Sequence, residues 1–139
     1  MIECSHPGRS PILVAASEAS DAGLLRSAIE ELGLTPVLVQ EPSEAIRRLC
    51  GSPKGYGALV AGERVGPTSG FTLCGVARDA GCRLPLLLVT SDDCRWTAVR
   101  AARLQVTVLW QPVAAPRVVQ TLRAMLPRTC RRRSARVGL

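Results

Sequence analysis

The sequence predicts an α/β protein: a five-stranded parallel sheet with helices on both faces. Two patterns carry that prediction. Short, unbroken apolar runs occur five times, which is how a strand buried on both faces reads. Each run is followed by a stretch whose apolar residues recur three and four apart, the period of a helix packed on one side. Their strict alternation argues for parallel strands joined by helical crossovers, and the right-handedness of such crossovers leaves few topologies open.

In chain order, "PILVAA" (11–16) is the first strand. "SEASDAGLLRSAIEELG" (17–33) is a helix with Leu24, Leu25, Ala28, Ile29 and Leu32 at helical spacing, Ser17 or Ser20 as its cap and Gly33 as its stop. "TPVLVQ" (35–40) is the second strand. "EPSEAIRRLCG" (41–51) is a short helix with Ala45, Ile46 and Leu49 inward and Gly51 as its stop. "SPKGYG" (52–57) is a turn-rich link into the third strand, "YGALVA" (56–61). "GERVGPTS" (62–69) reads as a loop, and "GFTLCGVARDAG" (70–81) as a helix with Phe71, Cys74 and Ala77 on one side. "LPLLLVT" (84–90) is the most apolar strand and is expected at the centre of the sheet. "SDDCRWTAVRAARL" (91–104) is a helix capped by Ser91 or Asp92, and "QVTVLW" (105–110) is the fifth strand. "PVAAPRVVQTLRAML" (112–126) closes the body as a helix with Val118 or Val119, Leu122, and Met125 or Leu126 inward.

The 139 residues are expected to make one domain: an extension over 1–10, the body over 11–126, and a basic tail or linker over 127–139, expected to be disordered. Hydrophobic content is 47% but aromatic content only 3%, so the core must be aliphatic. No apolar run approaches the ~20 residues of a membrane span, and the first residues hold no apolar signal core. A cytoplasmic protein, or a cytoplasmic piece of a larger one, is expected. Cys4, Cys50, Cys74, Cys82, Cys94 and Cys130 include no C-x-x-C pair, and His6 is the single histidine. No metal site, disulfide framework or hydrolytic triad is therefore expected. "GSPKGYG" lacks the phosphate-loop pattern, and in "GPTSG" the serine is one place late for a nucleophile elbow.

The net charge of +7 is unevenly placed. Of 18 basic residues, Arg128, Arg131, Arg132, Arg133 and Arg136 lie in the tail, leaving 13 against 11 acids in the rest. The basic character thus belongs to a tail, read as a solvated end or linker, as a docking element for an acidic partner, or as a nonspecific phosphate contact.

In open parallel sheets, function collects at the carboxyl ends of the strands. Those ends are Ala16-Ser17, Gly62, Thr90-Ser91 and Gln111-Pro112. With "ILVAAS", "LVAGERVGPTSGF", "LLLVTS" and "VLWQPV" at these four places, the chain from about Pro11 to Leu126 resembles the receiver domain of two-component signalling. It looks most like the receivers attached to hybrid sensor histidine kinases. The order and spacing of the four segments carry the resemblance, with Gly70-Phe71 at the end of the acceptor loop. The resemblance implies a flavodoxin-like (βα)5 fold with strand order 2-1-3-4-5.

Residue by residue, it also implies a lost activity. The family's acid pair falls on Ala16 and Ser17, its phospho-accepting aspartate on Gly62, and its lysine on Gln111. Thr90 and Pro112 keep the family's type, and Val108 stands where many receivers carry a switch aromatic. Phosphoryl transfer needs a carboxylate nucleophile, a Mg²⁺ held by oxygen ligands, and a cation beside the new charge. With these residues the crevice is expected to be neutral, metal-free and without enzymatic activity, and the fold to stay in one state. Glu63 is expected to point away from the crevice by strand alternation, and Asp92 and Asp93 to serve as helix caps. A rearranged metal site from Ser17, Asp92 and Asp93 is the weaker alternative. The family's usual docking and dimerisation face, built from the fourth helix, fifth strand and fifth helix, would here carry Trp96, Arg100, Arg103, Val108 and Trp110. Trp96 and Trp110 also read as space-fillers at the rim.

The expected function is that of a phosphorylation-incompetent receiver-like module. It would contact a histidine kinase, a phosphotransfer protein, an output protein or a second copy of itself. The alternatives are a nucleic-acid-associated regulator using the arginine tail, and a small enzyme using Ser17, Thr90 or Asp92. A cis Gln111–Pro112 bond is a further expectation.

Overall fold

A computed structural model describes residues 10–51, 55–92 and 95–126. Five parallel strands form one sheet: β1 (Ile12–Ala15), β2 (Pro36–Val39), β3 (Ala58–Ala61), β6 (Leu86–Thr90) and β7 (Val106–Trp110), in the order β2-β1-β3-β6-β7. Five helices alternate with them: α1 (Ala19–Glu31), α2 (Pro42–Gly51), α3 (Gly70–Asp79), α4 (Arg95–Arg103) and α5 (Ala115–Met125). This is the architecture expected from the alternation of apolar runs and helical stretches.

Strand alternation divides the core in two. Ile12, Val14, Val60, Leu87 and Val89 face α1 and α5, packing on Leu25, Ile29, Val118 and Leu122. Leu13, Ala15, Leu59, Leu86 and Leu88 face the other side, with Leu49, Leu73, Cys74, Ala77 and Ala101. Every residue of β1 and β3 is buried because a helix lies on each face. Burial pushes the Cys74 thiol up to about 12, so it behaves as a small core hydrophobe. No helix among the described residues is long and apolar enough to cross a membrane.

Several details differ from the sequence reading. The segment 62–69 holds a small antiparallel hairpin, β4 (Arg64–Val65) and β5 (Thr68–Ser69). Its turn contains Gly66 at φ +60, a conformation that disfavours residues with a Cβ. Val65 is fully buried and pulls the hairpin onto the sheet. The centre of the sheet is β3 rather than the more apolar β6. Ser17 does not cap α1. Glu18 is the N-cap and makes no side-chain cap bond, while the Ser17 hydroxyl donates to the Arg64 carbonyl at 3.1 Å. Ser20 lies inside the helix. Gly33 follows α1 at φ +80, as a helix stop requires. The Gln111–Pro112 bond is cis, as expected.

Arg78, unremarked in the sequence, ties the lower ends of three elements together. Its guanidinium donates to the carbonyls of Leu104 (2.7 Å), Cys82 (2.8 Å), Leu84 (2.8 Å) and Gln105 (2.9 Å). Only a planar group with five donors can serve four carbonyls at once. Arg78→Ala is expected to cost about 2–3 kcal/mol in urea unfolding, with Arg78→Lys recovering less than half. A loss under about 0.5 kcal/mol would show the clasp to be idle.

Candidate functional site

The carboxyl ends of β1, β3, β6 and β7 open on a shallow crevice of about 410 Å³, lined by Ser20, Asp21, Ser91, Gln111 and Pro112 among others. Larger hollows lie between α2 and α3, away from these strand ends; one of about 560 Å³ is lined by Ile46, Leu73 and Val76. Ala16 and Gly62 meet at the floor, and Ala16 is fully buried. A Cβ on Gly62 would lie 3.1 Å from the Ala16 Cβ. Thr90 is 5% exposed, and its hydroxyl accepts from the Asp92 N–H at 3.0 Å.

The crevice is not neutral, which corrects the sequence reading. Asp21, on the first turn of α1, is 7% exposed and turns its carboxylate inward. Its Oδ1 accepts from Gln111 Nε2 at 2.8 Å, and its Oδ2 accepts from the Glu63 N–H at 3.0 Å. A Cβ on Gly62 would sit 3.0 Å from that same Oδ2 and 3.1 Å from the Asp21 Cβ. The carboxylate from α1 thus fills the space into which a side chain at 62 would project. Gly62 is the residue that leaves room for it. The sequence held one signal for this. Asp21 lies four residues before Leu25 and seven before Ala28, on the apolar stripe of α1, so helical geometry aims it at the sheet. Its place in the first turn also suits a negative charge beside the helix amino terminus.

Glu63 also departs from expectation. Strand alternation does not reach it, because β3 ends at Ala61. Its Oε1 accepts from the Ser91 N–H at 2.5 Å and from the Ser91 hydroxyl at 3.1 Å, bridging the ends of β3 and β6 along the rim. Ser91 is therefore engaged with Glu63, whereas Asp92 is tied to α4, its Oδ2 accepting from the Thr97 hydroxyl at 2.9 Å. Asp93 lies outside the described residues.

Among the described residues, the side chains at the strand ends do not fit a divalent ion. Ala16 and Gly62 offer no side-chain oxygen, and both Asp21 oxygens accept hydrogen bonds from the protein. Ser17 and Asp92 are engaged at different places, with Arg64 and Thr97. No group of three or more His, Cys, Asp or Glu side chains that could hold a metal occurs among the described residues.

At the corner of α4 and β7, Trp96 is 70% exposed, Trp110 40% and Val99 39%. These are three of the five exposed large hydrophobics among the described residues. The tryptophans project instead of filling space, although Trp110 Nε1–H donates to the Asp92 carbonyl at 3.0 Å. Arg100 lies over the Phe71 ring, 4.9 Å from its centroid, a cation–π contact. Arg95 and Arg103 are exposed on the same helix. Val108 is half-buried against the α2–α3–α4 side of the core. The tail arginines Arg128, Arg131, Arg132, Arg133 and Arg136 lie outside the described residues.

No protein-family model matches the sequence, and no curated protein matches it. Solved structures do. A signal receiver domain from Vibrio parahaemolyticus aligns with a TM-score of 0.75 at 16% identity, over 87% of this chain and 92% of that one. A response regulator receiver protein from Pseudomonas putida aligns at 0.71 and 24% identity, over 84% and 97%. A sensor protein from Polaromonas sp. JS666 aligns at 0.69 and 21% identity, over 84% and 95%. At these identities the likeness is one of fold: the chain has the receiver fold found in two-component response regulators.

Proposed function

We propose that this chain is a phosphorylation-silent, receiver-like module that acts by protein contact in two-component signalling, beside a histidine kinase or its downstream proteins. One observation carries the reading: the Asp21 carboxylate occupies the space above Gly62, the residue that the resemblance puts at the acceptor position. A fold so filled has no nucleophile at 62, and a side chain there would crowd the Asp21 carboxylate and the Ala16 and Asp21 Cβ atoms at 3.0–3.1 Å.

The contact surface is the α4–β7 corner. Exposed Trp with nearby Arg makes effective interface anchors. Arg95, Arg100 and Arg103 on α4, with no acid between them, favour an acidic partner surface with an apolar side chain to meet Trp96.

The test of silence is direct. Incubated with acetyl phosphate and Mg²⁺, the intact protein is expected to keep its mass. An adduct of about 80 Da, stable enough to map to an Asp or Glu, would overturn the reading.

A further inference from the structure

Building on that reading, we infer that the domain supplies its own anions where a phosphoryl group would otherwise act, and that Glu63 and Asp21 thereby hold the α4–β7 corner in one fixed arrangement. An anion entering this crevice needs hydrogen-bond donors. Among those that the strand ends provide are the Ser91 N–H and hydroxyl, the Glu63 N–H and the Gln111 amide. Each already donates to a carboxylate of the same chain. Carboxylate acceptors make bonds roughly twice as strong as neutral ones, so these donors are committed.

The bonds continue outward without a gap. Glu63 holds Ser91, and the next residue, Asp92, makes bonds in both directions. Its N–H donates to Thr90, its carboxylate accepts from Thr97 on α4, and its carbonyl accepts from the Trp110 indole. The segment 90–92 is thus gripped from the crevice on one side and grips the exposed corner on the other. Beyond these bonds α4 is held by the Arg100–Phe71 contact and by the Arg78 clasp just past its far end, and among its described residues it buries only Thr97 and Ala101. Releasing Ser91 should therefore loosen α4 before anything else, since helices with few buried contacts open locally.

Hydrogen exchange and intrinsic fluorescence of the full chain test this. The protein's two tryptophans both sit at this corner, so their emission reports on it alone. In Glu63→Ala, exchange at the α4 amides is expected to quicken about tenfold, the size of one lost charge-assisted bond, with a shift in tryptophan emission. Amides of β1 and β3 should stay within twofold of the parent. Glu63→Gln, which keeps an acceptor oxygen but no charge, is expected to fall between the two. Exchange in α4 unchanged in both variants overturns the inference, and so does an equal acceleration across all strands, which would mark general destabilisation. The parent protein given acetyl phosphate and Mg²⁺ separates the two ideas. A phosphoryl adduct there defeats the silent-module reading, whatever α4 does in the Glu63 variants. An unmodified parent with unresponsive Glu63 variants defeats only the inference about built-in anions.

Discussion

Gly70→Ala is expected to lower stability by about 3 kcal/mol, near the upper end of what overpacking costs. Gly70 is the first residue of α3 and is buried. A Cβ there would run into the Gly62 carbonyl oxygen and come within 2.9 Å of Leu88 Cδ1. A side-chain clash relaxes by a rotamer change, whereas a clash with a backbone carbonyl requires two segments to separate. Separation would also break the bond from the Gly70 N–H to the Glu63 carbonyl at 3.1 Å. The bend at 62–63 would then lose the surface against which Asp21 and Ser91 are aligned. On the usual scaling for a domain of this size, thermal unfolding should shift down by roughly 10 °C. A shift under about 3 °C in calorimetry would mean that α3 rides up without cost. The Ser69 hydroxyl, which accepts from the Thr72 N–H at 3.1 Å, should still cap the helix, so helical content in the folded protein is expected to persist.

The layers of the fold were legible because burial on both faces leaves an unmistakable signature. "PILVAA" and "LPLLLVT" admit no exposed side, and "GLLRSAIEEL" carries the helical period. Boundaries and caps were less legible. Ser17 has the right chemistry for a cap, but the hairpin at 64–69 offers it the Arg64 carbonyl instead, a contact 47 residues away in sequence. That hairpin has the look of a loop in the sequence, because two-residue strands are too short to show alternation. The site divides the same way. The four strand ends and the absence of a nucleophile at Gly62 could be read off the chain. Asp21 is marked only by its place on the apolar stripe of α1, because it is not at a strand end, and a carboxylate in the first turn of a helix usually faces solvent. Its partners, Gln111 and the Glu63 N–H, come from distant segments brought together only by the sheet order. Arg78 was invisible for a related reason: its partners are backbone carbonyls, which no sequence pattern marks.

Gly62→Asp is expected to destabilise the fold by about 3 kcal/mol, and Asp21→Ala to relieve much of that loss. The new Cβ at 62 would meet Asp21 Oδ2 at 3.0 Å and the Cβ atoms of Asp21 and Ala16 at 3.1 Å, tighter than ordinary packing. Its carboxylate would then share one small space with another and with no metal between them, an arrangement that repulsion makes costly. Asp21→Ala alone should cost about 1–3 kcal/mol, because it strands the Gln111 amide and the Glu63 N–H. In the double variant the carboxylate from 62 enters the vacated space and can meet the same donors. The double-mutant cycle should therefore show a favourable coupling above about 1 kcal/mol. Effects that add to within about 0.5 kcal/mol would mean that Asp21 and residue 62 do not compete. The double variant should still gain no phosphoryl group from acetyl phosphate and Mg²⁺, because Ala16 and Ser17 offer the ion no carboxylate. On the proposed reading, an aspartate at 62 alone is not enough: the carboxylate from α1 must leave, and carboxylate ligands must stand at the end of β1.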